Sequence, residues 1–487
     1  MSRSTAACVM RHASACVMRH TWRRLVILVA VGGSTLGSCR VGPRYHRPPL
    51  DVPTTFRGER QDTTGPPSFG EAKWWNVFRD DELQKLIRQA LDRNYDVRIA
   101  AARVLQARAQ LTITRADQFP TVSVNAEAQR EQIPSRKQGG FELGAATVNL
   151  FQLDALLSWE LDFWGRFRSA TDRERANLLG TRWGARAVVV SVVSQVARSY
   201  FTLRELDLEL SIARRTLAAR QESLDLTRTQ ERGGVASLID VREAEQLVYT
   251  AASVITDTER LIAQQENAIR VLLGENPGSI LRGLPLVDQP EPPAIPAGMP
   301  SRLLERRPDI RQAEQSLIAA NADIGVARAA LFPEITLTTD AGFASNMLSQ
   351  LFTTPSELLT VAIKATQYVF DAGKRQATVR LTEAQKLELV YTYQKTVVQA
   401  FREVSDALVG HQKALIFRRQ LADVVTATGD AARLSDVRYR GGVASFLEVL
   451  TSQTNFFEAE LALARARLQE LLSLVQLYAA LGGGWDP

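Results

Sequence analysis

The stretch Arg232-Gly233-Gly234-Val235-Ala236-Ser237 returns, letter for letter, as Arg440-Gly441-Gly442-Val443-Ala444-Ser445. Each copy lies between two long segments whose hydrophobic periodicity predicts helix. The paired glycines accept the left-handed backbone that often ends a helix, and the serine can cap the helix that follows. Two identical turns, 208 positions apart, therefore predict two helical hairpins and a duplicated architecture.

The duplication extends upstream of both turns. A helical pattern at 81–117 ends at Phe119-Pro120, and a second one at 301–331 ends at Phe332-Pro333, 213 positions later. After each Phe-Pro the hydrophobic period changes to two, which predicts β-hairpins at about 121–162 and 334–371. Each predicted strand has an apolar face and a polar face, and Asp154 and Lys364 are expected to be solvated charges on the polar one.

Long helices follow both hairpins, because no proline interrupts 166–232 or 374–440. At about 1.5 Å per residue, each would be on the order of 100 Å long. Shorter helices are predicted to return at about 239–273 and 447–481. The second of these has a coiled-coil seam that starts at Leu447. The two repeats thus span 81–273 and 301–487, and the proline-rich linker 274–300 is expected to lie outside the core.

The N-terminus has the pattern of a secretion signal at 1–38, with a basic region, an apolar stretch and small residues before Cys39. Leu36-Gly37-Ser38-Cys39 resembles a bacterial lipobox, in which the cysteine is acylated; a plain signal peptide with a chance cysteine is the alternative. Residues 39–80 would then be a lipid-anchored, proline-rich tether. A tandem copy of Ala-Cys-Val-Met-Arg-His upstream leaves Met10 or Met18 as possible starts.

Composition argues against several classes of function. The net charge of +6 over 487 residues gives no support for a nucleic-acid partner. The four histidines lack metal-ligand spacing, and all three cysteines precede residue 40. The sequence contains no phosphate loop and no nucleophile motif. We therefore expect no enzymatic activity, no metal, and no cofactor other than a lipid on Cys39.

Four amphipathic strands cannot close a barrel within one chain. In a bilayer an open sheet edge leaves backbone groups unpaired, so the strands would have to close with other copies. A dimer would supply eight strands, the smallest transmembrane barrel, and a trimer would supply twelve. The expected fold class is thus an α+β membrane protein with a barrel and long coiled-coil helices; the edge of a soluble sandwich is the alternative.

Many short motifs, in order along nearly the whole chain from Cys39, resemble the TolC-like outer-membrane factor family, in its lipoprotein branch that serves tripartite efflux systems. These motifs are Cys39-Arg-Val-Gly-Pro-Arg-Tyr45-His-Arg-Pro48, Trp74-Trp75-Asn-Val-Phe78-Arg-Asp-Asp-Glu-Leu83, Asn94-Tyr-Asp-Val97, Ala102-Arg-Val104, Ala107-Arg108-Ala109, Leu303-Leu304-Glu-Arg306-Arg307-Pro308-Asp309-Ile310-Arg311, Phe370-Asp371-Ala-Gly373-Lys374-Arg375 and the two Arg-Gly-Gly turns.

The resemblance implies a homotrimer with a twelve-stranded β-barrel, continued by an α-helical tunnel in the periplasm. It also implies a periplasmic adaptor, an inner-membrane pump of the resistance-nodulation-division type, and an outer-membrane location. Residues 232–237 and 440–445 would be the tips that contact the adaptor. Hairpin geometry alone is the alternative explanation of these tips.

The resemblance further places Glu448, and with less support Asp240, at a constricted periplasmic aperture. Thr451 stands where the family has a second carboxylate, which argues against a doubled acidic ring. Ser445-Phe446-Leu447-Glu448 also reads as a capping box, which would be a sufficient structural reason for the glutamate.

The function expected from the sequence is a passive exit duct for drugs or other small toxic compounds, opened by contact with the adaptor. Two alternatives remain open. One is the outer-membrane channel of a type I protein secretion system, and the other is a lipid-anchored coiled-coil scaffold without a pore.

Overall fold

A computed structural model describes residues 40–57, 73–138, 141–143, 145–290 and 300–483. The predicted signal peptide, Cys39 and the Gly139-Gly140 turn lie outside these residues. The chain divides into two compact units. The strand unit comprises Thr112–Arg173 and Ala320–Gln385 with the described residues up to Tyr45, and the helical unit comprises His46–Leu111, Glu174–Ala319 and Lys386–Pro487.

The strand unit is built on a four-stranded antiparallel sheet in the order β1-β4-β5-β6. β2 and β3 form a short separate pair. Both main hairpins begin directly after a Phe-Pro dipeptide, as the change of period predicts. The strands are β1 (Thr121–Ile133), β2 (Arg136–Gln138), β3 (Phe141–Leu143), β4 (Ala146–Glu160), β5 (Glu334–Ser345) and β6 (Glu357–Thr366).

Asp154 departs from the expectation of a solvated charge, because it is only 6% exposed. Its carboxylate accepts hydrogen bonds from the Asn125 amide at 3.0 Å and from the Gln152 amide at 2.9 Å. Gly342 lies directly across from it on β5. The expectation is thus wrong for Asp154, since its side chain is buried and is bound by Asn125 of β1 and by Gln152 of its own strand. Lys364 is exposed as expected.

Nine α-helices of four or more residues lie in the described ranges. The two longest have the bounds that the proline-free segments predict, and the two return helices each begin one residue earlier than predicted. The helices are α1 (Trp74–Val77), α2 (Asp81–Arg93), α3 (Tyr95–Ala116), α4 (Arg166–Arg232), α5 (Leu238–Leu272), α6 (Pro300–Arg306), α7 (Pro308–Ala329), α8 (Lys374–Arg440) and α9 (Phe446–Ala480). None of the described helices is both long enough and apolar enough to cross a membrane.

The helix predicted at 81–117 is in fact two helices that meet at Asn94. The Asn94 side-chain oxygen accepts from the backbone N–H of Asp96 at 2.8 Å and starts the second helix. Its side-chain amide donates to the carbonyl of Leu272 at 2.9 Å. The segment predicted at 301–331 divides in the same way before Pro308, since proline lacks the N–H that a helix interior needs. The coiled-coil seam of α9 also starts one residue early, at the buried Phe446 rather than at the exposed Leu447.

The linker between the repeats is partly a core element, which corrects the expectation for residues 274–300. Leu286, within a short 3-10 turn, is buried. The linker is fixed by Asp80, whose carboxylate accepts from the Leu284 backbone N–H at 2.9 Å and from the Gln289 side chain at 2.8 Å. The Tyr200 hydroxyl donates to the same carboxylate at 2.8 Å.

The segment predicted as a tether has specific contacts within each unit. In the strand unit, Arg40 forms an ion pair with Asp172 at 2.7 Å. In the helical unit, Arg47 forms two hydrogen bonds to the buried Glu314 carboxylate, at 2.7 and 2.8 Å. Phe56 is also buried. Residues 40–57 therefore pack against the folded chain although they contain no helix or strand.

Candidate functional site at the glycine turns

The two repeated turns have the same backbone structure. After α4, the N–H of Val235 donates to the carbonyl of Gln230 at 2.9 Å, and Gly234 has a φ of +73°. After α8, the N–H of Val443 donates to the carbonyl of Arg438 at 3.0 Å, and Gly442 has a φ of +72°. This is the Schellman arrangement, in which glycine takes the left-handed position. The second glycine of each turn is required by this backbone.

The turns present apolar side chains to solvent. Val235 is 81% exposed and Val443 is 69% exposed. Leu238, Ile239 and Leu447, which begin the return helices, are exposed as well. A cluster of exposed aliphatic side chains at a helical turn is unusual unless a partner covers it.

The serines of the two turns have different roles, although the six-residue sequences are identical. Ser237 caps α5, since its hydroxyl accepts from the N–H of Asp240 at 3.3 Å and the Asp240 carboxylate accepts from the N–H of Ser237 at 2.8 Å. This is a complete capping box. Ser445 is the N-cap residue of α9, but its side chain makes no capping hydrogen bond.

The capping box predicted for Glu448 is therefore wrong. The Glu448 carboxylate instead forms an ion pair with Arg438 at 3.2 Å, on the other helix of the same hairpin. In the first repeat the position of Arg438 is occupied by Gln230, which is uncharged, so Asp240 has no such cation opposite it and remains on the cap. The Glu448 side chain thus makes an ion pair between two half-exposed side chains rather than a cap.

A hydrogen bond joins the two hairpins just behind their turns. The Tyr439 hydroxyl donates to the side-chain oxygen of Gln230 at 2.8 Å. The Tyr439 ring lies 5.4 Å from the Phe446 ring. Burial, together with the charge of Asp240, raises the pKa of Tyr439, so its hydroxyl stays protonated and acts as a donor at neutral pH. The two turns are therefore parts of one site.

A shared apolar core lies beneath this hydrogen bond. Residues from α4, α5 and α9 pack in it, with Tyr439, Leu217 and Leu450 at its margin. Its buried members are Leu224, Val241, Ala244, Val248, Phe446 and Val449. Because both hairpins contribute to the core, movement of one hairpin away from the other would expose apolar surface.

The structure thus brings together all twelve turn residues with Asp240 and Glu448. The two arginines of the turns make local contacts: Arg232 donates to the Thr229 hydroxyl at 3.3 Å, and Arg440 pairs with Asp436 at 2.9 Å. Cys39 lies outside the described residues. Among the residues that the structure does describe, no group of three His, Cys, Asp or Glu side chains could hold a metal ion.

Sequence reasoning missed Tyr439 and Gln230. Tyr439 directly precedes the second copy of the repeated stretch, and Gln230 lies two residues before the first copy. Neither position is shared between the repeats, because the counterpart of Tyr439 is Glu231 and that of Gln230 is Arg438. The signal in the sequence that could have indicated Tyr439 and Gln230 is that these two positions differ between the repeats.

Comparison with protein families gives a match over most of the chain. The model of the family described as outer membrane efflux protein matches residues 86–275 and 299–483. The chain is 37% identical over 467 residues to the probable efflux pump outer membrane protein TtgC of Pseudomonas putida, covering 94% of this chain and 96% of that protein. It is also 34% identical over 457 residues to the cation efflux system protein CusC of Escherichia coli, covering 93% and 97%.

Solved structures with the same fold include an outer membrane channel. The open state of the MtrE outer membrane channel of Neisseria gonorrhoeae superposes with a TM-score of 0.83 at 31% identity, covering 92% of this chain and 99% of that one. A crystal structure of CusC superposes with the same TM-score of 0.83 at 32% identity, covering 92% of this chain and all of that one.

Proposed function

The chain belongs to the outer membrane efflux protein family and acts in efflux across the outer membrane, and from this premise we propose how it performs that function. It is the exit duct of a tripartite pump that carries drugs or other small toxic compounds out of the cell. The observation that carries the proposal is that a chain of this family has both a four-stranded sheet with two open edges and two helical turns joined by a hydrogen bond.

Several copies together form the duct. The sheet within one copy ends at β1 and β6, and each of these strands has a pairing partner on one side only among the described strands. Since a bilayer does not tolerate unpaired backbone groups, the edges are closed by neighbouring copies. Three copies give a twelve-stranded barrel, a size within the range of transmembrane barrels. A lipid on Cys39 is proposed to anchor each copy to the outer membrane.

The glycine turns form the end that meets a periplasmic adaptor. Exposed valines in both turns offer apolar surface to such a partner. The hydrogen bond from Tyr439 to Gln230 holds the second hairpin against the first, and the ion pair of Arg438 with Glu448 joins the two helices of the second hairpin. Binding of the adaptor shifts these contacts, and energy comes from the inner-membrane pump. The duct itself carries no catalytic step.

Deletion of the gene tests the export function. We expect a several-fold lower minimum inhibitory concentration of at least one toxic compound, restored by the wild-type gene on a plasmid. Unchanged susceptibility together with loss of a secreted protein would instead support type I secretion. Purified protein should conduct ions in planar bilayers, and a protein that forms no channel would support the scaffold alternative.

A cysteine at position 445 tests the contact with the adaptor. Ser445 is exposed and caps nothing, so Ser445→Cys should leave the turn intact. We expect disulfide or short-linker crosslinks from this position to an adaptor with its own cysteine in the facing hairpin. Thr256→Cys, exposed on α5 but 19 residues beyond the Ser237 cap, is the matched control. Equal crosslinking of both variants would contradict docking at the turns.

A further inference from the structure

The two outer strands of the sheet are suited to pair with each other between copies. β1 pairs only with β4, and β6 pairs only with β5, among the described strands. Each of the three strand pairings is antiparallel, so β1 and β6 run in opposite directions. β6 of one copy can therefore form an antiparallel ladder with β1 of the next, and repetition of this contact closes a ring.

The internal repeat fixes the register of that ladder. Phe119-Pro120 recurs at Phe332-Pro333 after 213 positions, and Gly165 recurs at Gly373 after 208. The first shift relates β1 to β5, and the second relates β4 to β6. Applied to the pair Thr121 and Ser158 in the first hairpin, these shifts give Glu334 and Thr366, which is the pair observed in the second hairpin. The two hairpins thus have the same register.

The same shifts can be applied to the contact between the hairpins. Within the chain, Leu156 of β4 lies opposite Asp340 of β5. Moving 208 positions forward from Leu156 gives Lys364, and moving 213 positions back from Asp340 gives Glu127. We propose that β6 of one copy pairs with β1 of the next in the register that places Lys364 directly opposite Glu127, which rests on the proposed assembly of several copies.

Charge supports this register. Within its own chain Lys364 lies opposite the neutral Thr336, and Glu127 lies opposite the neutral Gln152. Both charged side chains are exposed in a single copy. Opposite charges directly across a strand pair attract, whereas like charges there repel. The proposed register thus sets a basic side chain of one edge directly opposite an acidic side chain of the other.

Strand faces and charge together argue against the nearest competing registers. A slip by one residue would place Lys364 opposite Ala128 and set the polar face of one strand against the apolar face of the other. A slip by two residues preserves the faces, but it places Lys364 opposite Asn125 or Gln129, and neither carries a charge. Of the proposed register and the registers shifted by one or two residues, the proposed one is therefore the register that forms the ion pair.

The proposed register also accounts for exposed apolar residues after β6. Val369 is 96% exposed and Phe370 is 87% exposed in a single copy. If the ladder continued past the end of β6 at Thr366, it would place Phe370 opposite Thr121 at the start of the neighbouring β1. The neighbouring strand would then cover this exposed segment.

Paired cysteines test the register directly. The combination Glu127→Cys with Lys364→Cys is compared with Asn125→Cys plus Lys364→Cys and with Gln129→Cys plus Lys364→Cys, after oxidation in outer-membrane fractions and denaturing electrophoresis. Directly opposite Cβ atoms lie about 4.5–5.5 Å apart and diagonal ones about 7–8 Å apart, so only the first combination approaches disulfide geometry. We expect its crosslinking rate to be several-fold above both controls. Single-cysteine variants report any crosslinks through the native cysteines, all of which precede residue 40.

Faster crosslinking of either control combination would overturn the register while leaving the ring of copies intact. Absence of crosslinks in all three, in a protein that forms oligomers by native mass measurement, would overturn pairing of these two edges. A charge exchange adds an independent readout: Glu127→Lys should lower the temperature at which the oligomer dissociates, and Lys364→Glu in the same chain should restore it. Drug susceptibility of the complemented deletion strain is measured separately, so loss of export is distinguishable from a wrong register.

Discussion

Replacement of Asp80 by alanine is expected to prevent stable folding of the helical unit, so that little protein is recovered from the membrane. Asp80 is 1% exposed and serves two purposes at once. Its carboxylate caps α2, and it also binds the linker between the repeats. The donors to it are the backbone N–H groups of Glu82, Leu83 and Leu284, the hydroxyl of Tyr200 and the side-chain amide of Gln289.

The size of the effect follows from the partners that alanine would leave behind. A buried donor without an acceptor costs about 1–3 kcal/mol, and three of these donors come from outside the cap. Loss of an N-cap adds about 1 kcal/mol. Since a folded domain is stable by only about 5–15 kcal/mol, the combined loss is a large fraction of the total. Burial and the neighbouring Asp80 raise the pKa of Tyr200, so its hydroxyl is one of the donors that would be stranded.

The matched control is Asp81→Ala, in the next position and exposed. Its side chain lies in the first turn of the same helix, where a negative charge contributes only about 0.3–1 kcal/mol. Membrane yield and the urea midpoint of the purified protein should fall strongly for Asp80→Ala and little for Asp81→Ala. Similar values for the two variants would contradict the role given to Asp80.

The helical hairpins could be predicted from the sequence because their signals are local. Absence of proline, paired glycines and a change of hydrophobic period set the bounds of the long helices to the residue. The break at Asn94 was not predicted, although asparagine is a good N-cap residue. The apolar periodicity continues across a break of one residue. Two helices separated by a single capping residue therefore have nearly the same sequence pattern as one continuous helix.

The anchoring of the linker could not be predicted for a different reason. Asp80 meets Tyr200, Leu284 and Gln289 across separations of 120, 204 and 209 residues. No periodicity or short motif links such positions. Prolines indicate where regular structure stops, but they do not show whether the segment packs, and Leu286 is buried within it.

At the glycine turns, the sequence predicted the backbone but not the side-chain roles. The backbone depends on Gly234 and Gly442, which are present in both copies. The capping box of α5 needs Asp240, and the ion pair of Glu448 needs Arg438, and both residues lie outside the repeated six. The first copy has the uncharged Gln230 at the position of Arg438. Identity of a motif therefore does not imply identity of its contacts.

The second large effect is expected for Gly342→Ala, which should prevent the two β-hairpins from joining. Gly342 lies opposite Asp154 in the pairing of β4 with β5, and this pairing connects one hairpin to the other. A Cβ atom at this position would clash with the carbonyl oxygen of Leu153 and would lie 2.5 Å from the Cα of Asp154. Both are backbone atoms, so no side-chain rotation relieves the contact.

Relief of that contact requires the strands to separate or slide. Separation breaks ladder hydrogen bonds, and sliding by one residue would reverse the faces of every later side chain. Overpacking alone typically costs about 1–3 kcal/mol even where side chains can adjust, so a backbone clash should cost at least that much. Asp154 would also move, and its hydrogen bonds to Asn125 and Gln152 would weaken.

Ala341→Val is the matched control, since it adds more volume in the same strand on the opposite, exposed face. We expect Gly342→Ala to abolish the proposed oligomer, measured by native mass in detergent, and to leave the deletion strain as susceptible as it is without the gene, whereas Ala341→Val should complement. The added methyl group is small and uncharged. If Gly342→Ala loses function and Ala341→Val does not, the cause is therefore the changed spacing of β4 and β5. If the variant instead forms an oligomer with the dissociation temperature of the wild type, these strands can separate without loss of the sheet. The register proposed between copies would then lose the template from which it was inferred.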